Sequence, residues 1–175
     1  MKIYLVRHGE TNLNSPLRCM QGSTNISLND NGKRQAKEAS LKLKDLDFDL
    51  IISSPYKRAF ETASIINEEL NIPLITDDRI KERDYGDLET KPYMREYCNI
   101  DFDLNSHHGE DYNIYKSRLL DFIDDIKNKY SDKKVLVVSH NGVIGLLSSL
   151  IEGMPEDRNY VTKGIRNAEI KELNI

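Results

Sequence analysis

Arg7, His8, Arg58, Glu82 and His140 are spread over most of the chain, yet each stands shortly after a brief apolar run. Together they could bind and react with an oxyanion. The planar forks of two arginines match the oxygens of a phosphate. The Asn141-Gly142 pair after His140 reads as the start of a helix, whose unpaired N–H groups are further anion donors. An imidazole in line with phosphorus can act as a nucleophile. A nearby carboxylic acid can hand a proton to the leaving oxygen. Taken singly, each residue has an ordinary reading: a satisfied histidine, a solvated arginine, a surface carboxylate. Their convergence is what would make a site.

The elements that must position these side chains follow from hydrophobic periodicity. Ile3-Tyr4-Leu5-Val6, Leu50-Ile51-Ile52, Pro73-Leu74-Ile75 and Val135-Leu136-Val137-Val138 are short apolar runs, the pattern of buried strands. Between them, Ala36, Ala39, Leu43 and Leu46 recur at helical spacing after a cap at Asn29 or Asp30. Ser54-Pro55 predicts a second helix start, with Ala59, Ala63, Ile66 and Leu70 on its buried face. Tyr112, Tyr115, Leu119, Phe122, Ile126 and Tyr130 mark a long third helix with its tyrosines in the core, and Leu146, Leu147 and Leu150 a fourth. Residues 84–108 are polar and irregular, and Ala168 to Leu173 alternates like an edge strand. Strands alternating with helices predict one α/β domain over residues 1–175, with a mostly parallel sheet covered on both faces. Ligands of such sheets bind at the carboxyl ends of the strands, where Arg7, His8, Arg58, Glu82 and His140 would then meet.

The chain has 175 residues, a net charge of −4 and a pI of about 5.6. Neither nucleic acid nor an anionic membrane is expected as a partner, because both rely on an excess of Lys and Arg. The cluster Lys127, Lys129, Lys133 and Lys134 reads as a solvated helix end. Cys19 and Cys98 have no zinc-ligand spacing and are expected to be free thiols. His107-His108 reads as a loop on the pocket rim, and no metal or cofactor is expected. The Met1–Val6 run is too short for a signal-peptide core, which predicts a cytoplasmic protein. The sequence specifies no oligomeric state.

Seven segments also resemble, in order, the histidine phosphatase superfamily, the phosphoglycerate mutase-like family. They are LVRHGET at 5–11 with Asn14, Gln21-Gly22, SSPYKRAFETA at 53–63, Ile80 to Gly86, Gly109-Glu110, SHNGVI at 139–144 and Asn167-Ala168. The resemblance implies a three-layer, doubly wound fold with an antiparallel edge strand. It implies His8 as the phosphorylated nucleophile, with Arg7, Arg58 and His140 clamping the phosphoryl oxygens. Glu82 would be general acid and then base, and Asn14, Gln21, Gly22 and the Asn141 N–H would contact phosphate.

Three departures flank this set: Asn25 where many members have Asp, Leu88-Glu89-Thr90 for Trp-Glu-Gly, and Asp111 for Ser. The implied activity is metal-independent hydrolysis of a small phosphomonoester, with a phosphoglycerate-type mutase as the alternative. Against a mutase stand Asp101, Asp103 and Asp111, which would repel a second anion if they faced the site; Lys91 and Arg95 could hold one. An inactive phosphate-binding domain is a further alternative, but it would lack one of the reacting residues.

Overall fold

The computed structural model describes residues 1–175. In β1 (Lys2–Arg7), successive side chains enter opposite faces: Ile3 and Leu5 join one core cluster, Tyr4 and Val6 the other. β2 (Leu50–Ser53), β3 (Leu74–Thr76) and β4 (Val135–Ser139) complete the parallel part of the sheet. β4 divides its residues as β1 does, Val135 and Val137 against Leu136 and Val138. Continuous apolar runs are thus needed because both faces are covered. β5 (Ile170–Asn174) pairs antiparallel with β1, and the strand order is β3-β2-β4-β1-β5.

One face is covered by α1 (Asp30–Leu43) and α2 (Lys57–Leu70), through Ala39, Leu43, Ala63 and Ile66. The other is covered by α3 (Tyr112–Lys129) and α4 (Asn141–Glu152), through Tyr115, Leu119, Phe122, Val143 and Leu146. The result is the expected three-layer α/β sandwich with one antiparallel edge. Asn29, rather than Asp30, caps α1 by accepting from the Gly32 N–H at 2.8 Å. Tyr115 is fully buried as expected, whereas Tyr112 and Tyr130 are only partly so. No helix is long and apolar enough to cross a membrane.

Two local expectations need correction. α2 begins two residues after Pro55, and Ser54 does not cap it. Asn25 does so instead, reaching from the preceding loop to accept from the Lys57 N–H at 2.7 Å. Residues 84–108, read as irregular, contain three short 3₁₀ turns, Gly86–Leu88, Arg95–Cys98 and Asn105–His107. Sequence periodicity is blind to such turns because three or four residues carry no repeat.

The departures from the family pattern also acquire local explanations. Asp111 caps α3, accepting from the N–H groups of Asn113 and Ile114. Thr90 keeps the left-handed backbone that glycine would favour, with φ of 62°, while its N–H donates to the Met20 carbonyl at 2.8 Å. A β-branched residue is poorly suited to that region. Thr90→Gly should therefore raise the free energy of unfolding by roughly 0.5–1 kcal/mol, the relief of strain being partly offset by a more flexible unfolded chain. Urea unfolding of the two proteins measures the difference; an equal or lower midpoint for the variant would refute the strain.

Candidate active site

Parallel pairing aligns Arg7 with Ser139 and Ser53 with Val138, so β1, β2 and β4 end on one edge. The next residues, His8, Ser54 and His140, therefore emerge side by side. Two ladder-like bonds continue past the strands: His8 N–H to the Ser139 carbonyl and Ser54 N–H to the Val138 carbonyl, both 2.9 Å. The rings of His8 and His140 lie 5.3 Å apart between centroids. Arg58, from the first turn of α2, and Glu82, from the loop after β3, complete the set around a narrow cavity of about 70 Å³. Of the residues expected at the site, Arg7, His8, Asn14, Gln21, Gly22, Arg58, Glu82 and Asn141 line that cavity. His140 lies behind its wall, fully buried against His8.

A hydrogen bond assigns the ring nitrogens of His8. His8 Nδ1 meets the Gly9 carbonyl at 2.7 Å; a carbonyl only accepts, so Nδ1 carries the proton and Nε2 keeps its lone pair. The Ser54 hydroxyl accepts from the Tyr56 N–H at 3.3 Å and meets His140 Nε2 at 2.8 Å. A hydroxyl can donate or accept, so this contact is compatible with either tautomer of His140, whose Nδ1 has no partner. Burial first, then the charges of Arg58 and Arg7, hold His8 well below its ordinary pKa; burial, Arg58 and His8 do the same to His140. Burial pushes the Arg58 guanidinium down to about 10, still protonated at neutral pH, and also lowers Arg7.

Neither arginine forms an ion pair. Arg58 donates to the carbonyls of Thr24 and Gly22, each at 2.7 Å, and Arg7 to that of Ile165 at 3.0 Å. Four buried side-chain atoms of the protein lack any partner: Arg7 Nε, Arg58 Nε, His140 Nδ1 and Ser148 Oγ. Three of the four belong to this cluster, although buried polar groups are ordinarily satisfied. Asn14 and Gln21 add to the surplus: their oxygens accept from Thr11, but neither amide nitrogen donates within the protein.

Glu82 is held as an acceptor. Its carboxylate takes the N–H of Gly142 at 3.1 Å, the N–H of Arg83 at 3.1 Å and the Tyr115 hydroxyl at 3.3 Å. A Cβ on Gly142 would overlap Glu82 Oε1, so only glycine lets the α4 N-terminus approach. Gly22 sits at φ of 49°, and its neighbours Ser23 and Thr24 donate their N–H groups to Glu89. Glu10, Asp84 and Glu110, the other carboxylates near these motifs, lie off the cavity wall and are bonded to Asn29, Gly86 and Arg118.

Several supporting residues escape the motif reading. Thr62, one turn beyond Arg58, accepts from the Gly9 N–H at 3.0 Å and donates to the Arg58 carbonyl at 2.7 Å. Helical spacing could have revealed it. Ser54 reads as a cap and Tyr115 as core, and their polar contacts are invisible without the fold. Asp101, Asp103 and Asp111 do not line the cavity; Asp101 pairs with Arg158 and Asp103 binds the backbone at 105–106. Arg95 is engaged by Asp157 at 2.7 Å. His107-His108 is not on the rim: His107 stacks on Phe102, and His108 pairs with Asp87. Both cysteines are free thiols.

Residues 3–175 match the sequence profile of the histidine phosphatase superfamily, branch 1. The chain is 42% identical over 155 residues to the uncharacterized phosphatase PhoE of Bacillus subtilis, covering 88% of this chain and 79% of that protein. It is 31% identical over 165 residues to the probable phosphoglycerate mutase GpmB of Escherichia coli, covering 89% of this chain and 76% of that one. Among solved structures, Bacillus stearothermophilus YhfR superposes with a TM-score of 0.85 at 25% identity, covering 99% of this chain and 91% of the other. The chain therefore belongs to the histidine phosphatase superfamily.

Proposed function

We propose that the protein is a phosphomonoester hydrolase that works through a phosphohistidine on His8. The observation that carries this reading is the surplus of buried donors: Arg7 Nε and Arg58 Nε lack partners beside an imidazole whose Nε2 lone pair is free, with the unpartnered Nδ1 of His140 next to it. A tetrahedral oxyanion supplies the acceptors those donors lack. Two guanidiniums neutralise the transferring group, so these residues can carry the charge of the transition state by themselves. The likeness to PhoE supports the same conclusion.

In the first half-reaction, His8 Nε2 attacks phosphorus and the P–O ester bond breaks. The carboxylic acid of Glu82 gives its proton to the departing oxygen, and the alcohol leaves. In the second, Glu82, now a carboxylate, takes a proton from water as the water oxygen attacks phosphorus. The P–N bond breaks, its electron pair returns to Nε2, and inorganic phosphate departs with Glu82 protonated again. Arg7 and Arg58 hold the equatorial oxygens throughout, joined by the amides of Asn14 and Gln21, while His140 backs His8 from behind the cavity wall. A mutase would need to exclude water while a bisphosphorylated intermediate turned over. Here the narrow cavity opens into an outer cleft of about 630 Å³, which favours hydrolysis.

Three outcomes test this reading. Turnover quenched in base should trap an acid-labile phosphoryl group on the His8 peptide, and His8→Ala should abolish label and activity together. Near-normal turnover by that variant would rule the nucleophile out.

Glu82→Gln should slow alkyl phosphates by about 10²–10⁴-fold. It should slow 4-nitrophenyl phosphate much less, since a good leaving group needs little acid help. Equal losses on both would assign the acid elsewhere.

The neutral histidines make the third outcome a matter of pH. The folded protein holds His8 and His140 unprotonated below the ordinary histidine range, whereas the unfolded chain takes up both protons near pH 6.5. Stability is therefore lost as pH falls through 6.5. Between pH 7 and 5.5 the loss should be roughly 2 kcal/mol in phosphate-free buffer, and His8→Asn should remove about half of the dependence. Urea titrations across that window measure it, and a flat profile would contradict two neutral imidazoles.

A further inference from the structure

The narrow cavity and the outer cleft share Arg7, Asn14, Cys19, Tyr93 and Asn141, so they form one continuous path. With phosphorus beside His8, the alcohol portion of a substrate has to occupy the outer cleft. Its wall joins two segments far apart in sequence. Cys19 and Pro92 form an isolated antiparallel bridge. Around it, Met20 N–H donates to the Lys91 carbonyl at 3.0 Å, Thr90 N–H to that of Met20 at 2.8 Å, and Tyr93 N–H to that of Arg18 at 2.9 Å. The surface so built is shaped by backbone pairing, as a specificity wall requires.

Its chemistry is selective. Leu13, Leu17, Pro92 and Tyr93 present apolar and aromatic surface to the cleft. Leu17 stays 61% exposed and Tyr93 45%, in a protein that buries most of its large apolar side chains. No carboxylate lines the cleft, and beyond Arg7 its one charged residue is Arg18. Arg18 forms no ion pair, whereas Arg95, Arg158 and Arg79 are each matched to aspartates. Its backbone lies in the left-handed region, φ 52°, a strain of the kind that gathers at functional sites. The protein as a whole carries a net charge of −4, so an unopposed cation in a concave surface is an attractive centre for an anion.

We propose that the outer cleft is a leaving-group subsite for an alcohol with an aromatic or apolar body that bears a carboxylate, and that Arg18 is its specificity-determining residue. The flat face would lie on Tyr93 and the carboxylate would reach Arg18. This rests on the phosphatase reading only for what the inner cavity holds, so binding and turnover are measured separately.

The probes are 4-carboxybenzylphosphonate and benzylphosphonate, titrated calorimetrically against the whole protein at low salt. Beside them, kcat/KM is measured for the corresponding 4-carboxybenzyl and benzyl phosphates. The carboxylated phosphonate should bind about 3–10-fold more tightly, the range of a partly exposed charge-assisted pair, with the preference shrinking at high salt. Arg18→Gln should bring the ratio to about one, and Arg18→Lys should keep part of it. Benzylphosphonate binding reports in each variant that the cavity is intact. A ratio of one in the unmodified protein, or a ratio unchanged by Arg18→Gln, overturns the subsite. Selective binding without turnover of either phosphate would instead sink the hydrolase reading and leave the subsite standing. Failure of both phosphonates to bind would overturn both.

Discussion

Two guanidinium groups are held at the end of the sheet with no carboxylate touching either, and much of the surrounding structure follows from that constraint. A desolvated charge costs several kcal/mol unless hydrogen bonds replace its water. Here the replacements are main-chain carbonyls: Gly22 and Thr24 for Arg58, Ile165 for Arg7. Each carbonyl needs a loop that is itself fixed. Glu89 fixes the first by binding the N–H groups of Ser23 and Thr24; Asn141 fixes the second by accepting from Ile165 at 2.9 Å. Burial, reinforced by the same positive field, keeps His8 and His140 neutral, which is the state a nucleophilic imidazole needs.

The proposed parts of the machinery are therefore carried on supports of different kinds. Arg7, His8 and His140 stand directly on strand ends, where parallel register sets their spacing. Arg58 stands on the first turn of α2, which is capped from outside by Asn25 and tied to the His8 loop by Thr62. Glu82 stands on a loop. Its backbone is gripped by Arg118, which donates to the carbonyls of Arg79, Lys81 and Glu82 while paired with Glu110 at 2.7 Å. This largely buried pair belongs to α3 and the turn before it.

Much of this plan was legible in the residues. The strands were visible as apolar runs because both faces of the sheet are covered, and α1 and α3 because each has one buried stripe. Arg7, His8, Arg58 and His140 were legible because each sits at a fixed offset from a strand or helix start. What stayed hidden depends on contacts between segments far apart. Ser54 looks like a helix cap until β4 brings His140 beside it, and Tyr115 looks like pure core until its hydroxyl is seen against Glu82. The acidic stretch at 101–111 is another case in which only the fold decides. Charge counting left open whether it faces the anion site, and Arg158 and the start of α3 take up Asp101 and Asp111 elsewhere.

The separate support of Glu82 has a consequence for how the molecule fails. The anion cradle rests on central strands buried on both faces, among the last elements of a domain to open. The carboxylate depends on α3, through the Tyr115 hydroxyl and the Arg118 that grips its loop, and on the Gly142 N–H of α4. Mild heat or denaturant that loosens α3 would release Glu82 while Arg7, Arg58 and His8 stayed in register. On the proposed mechanism the protein would then pass through a state that still holds phosphate but no longer expels an alkoxide, an inert anion receptor lying between the enzyme and the unfolded chain.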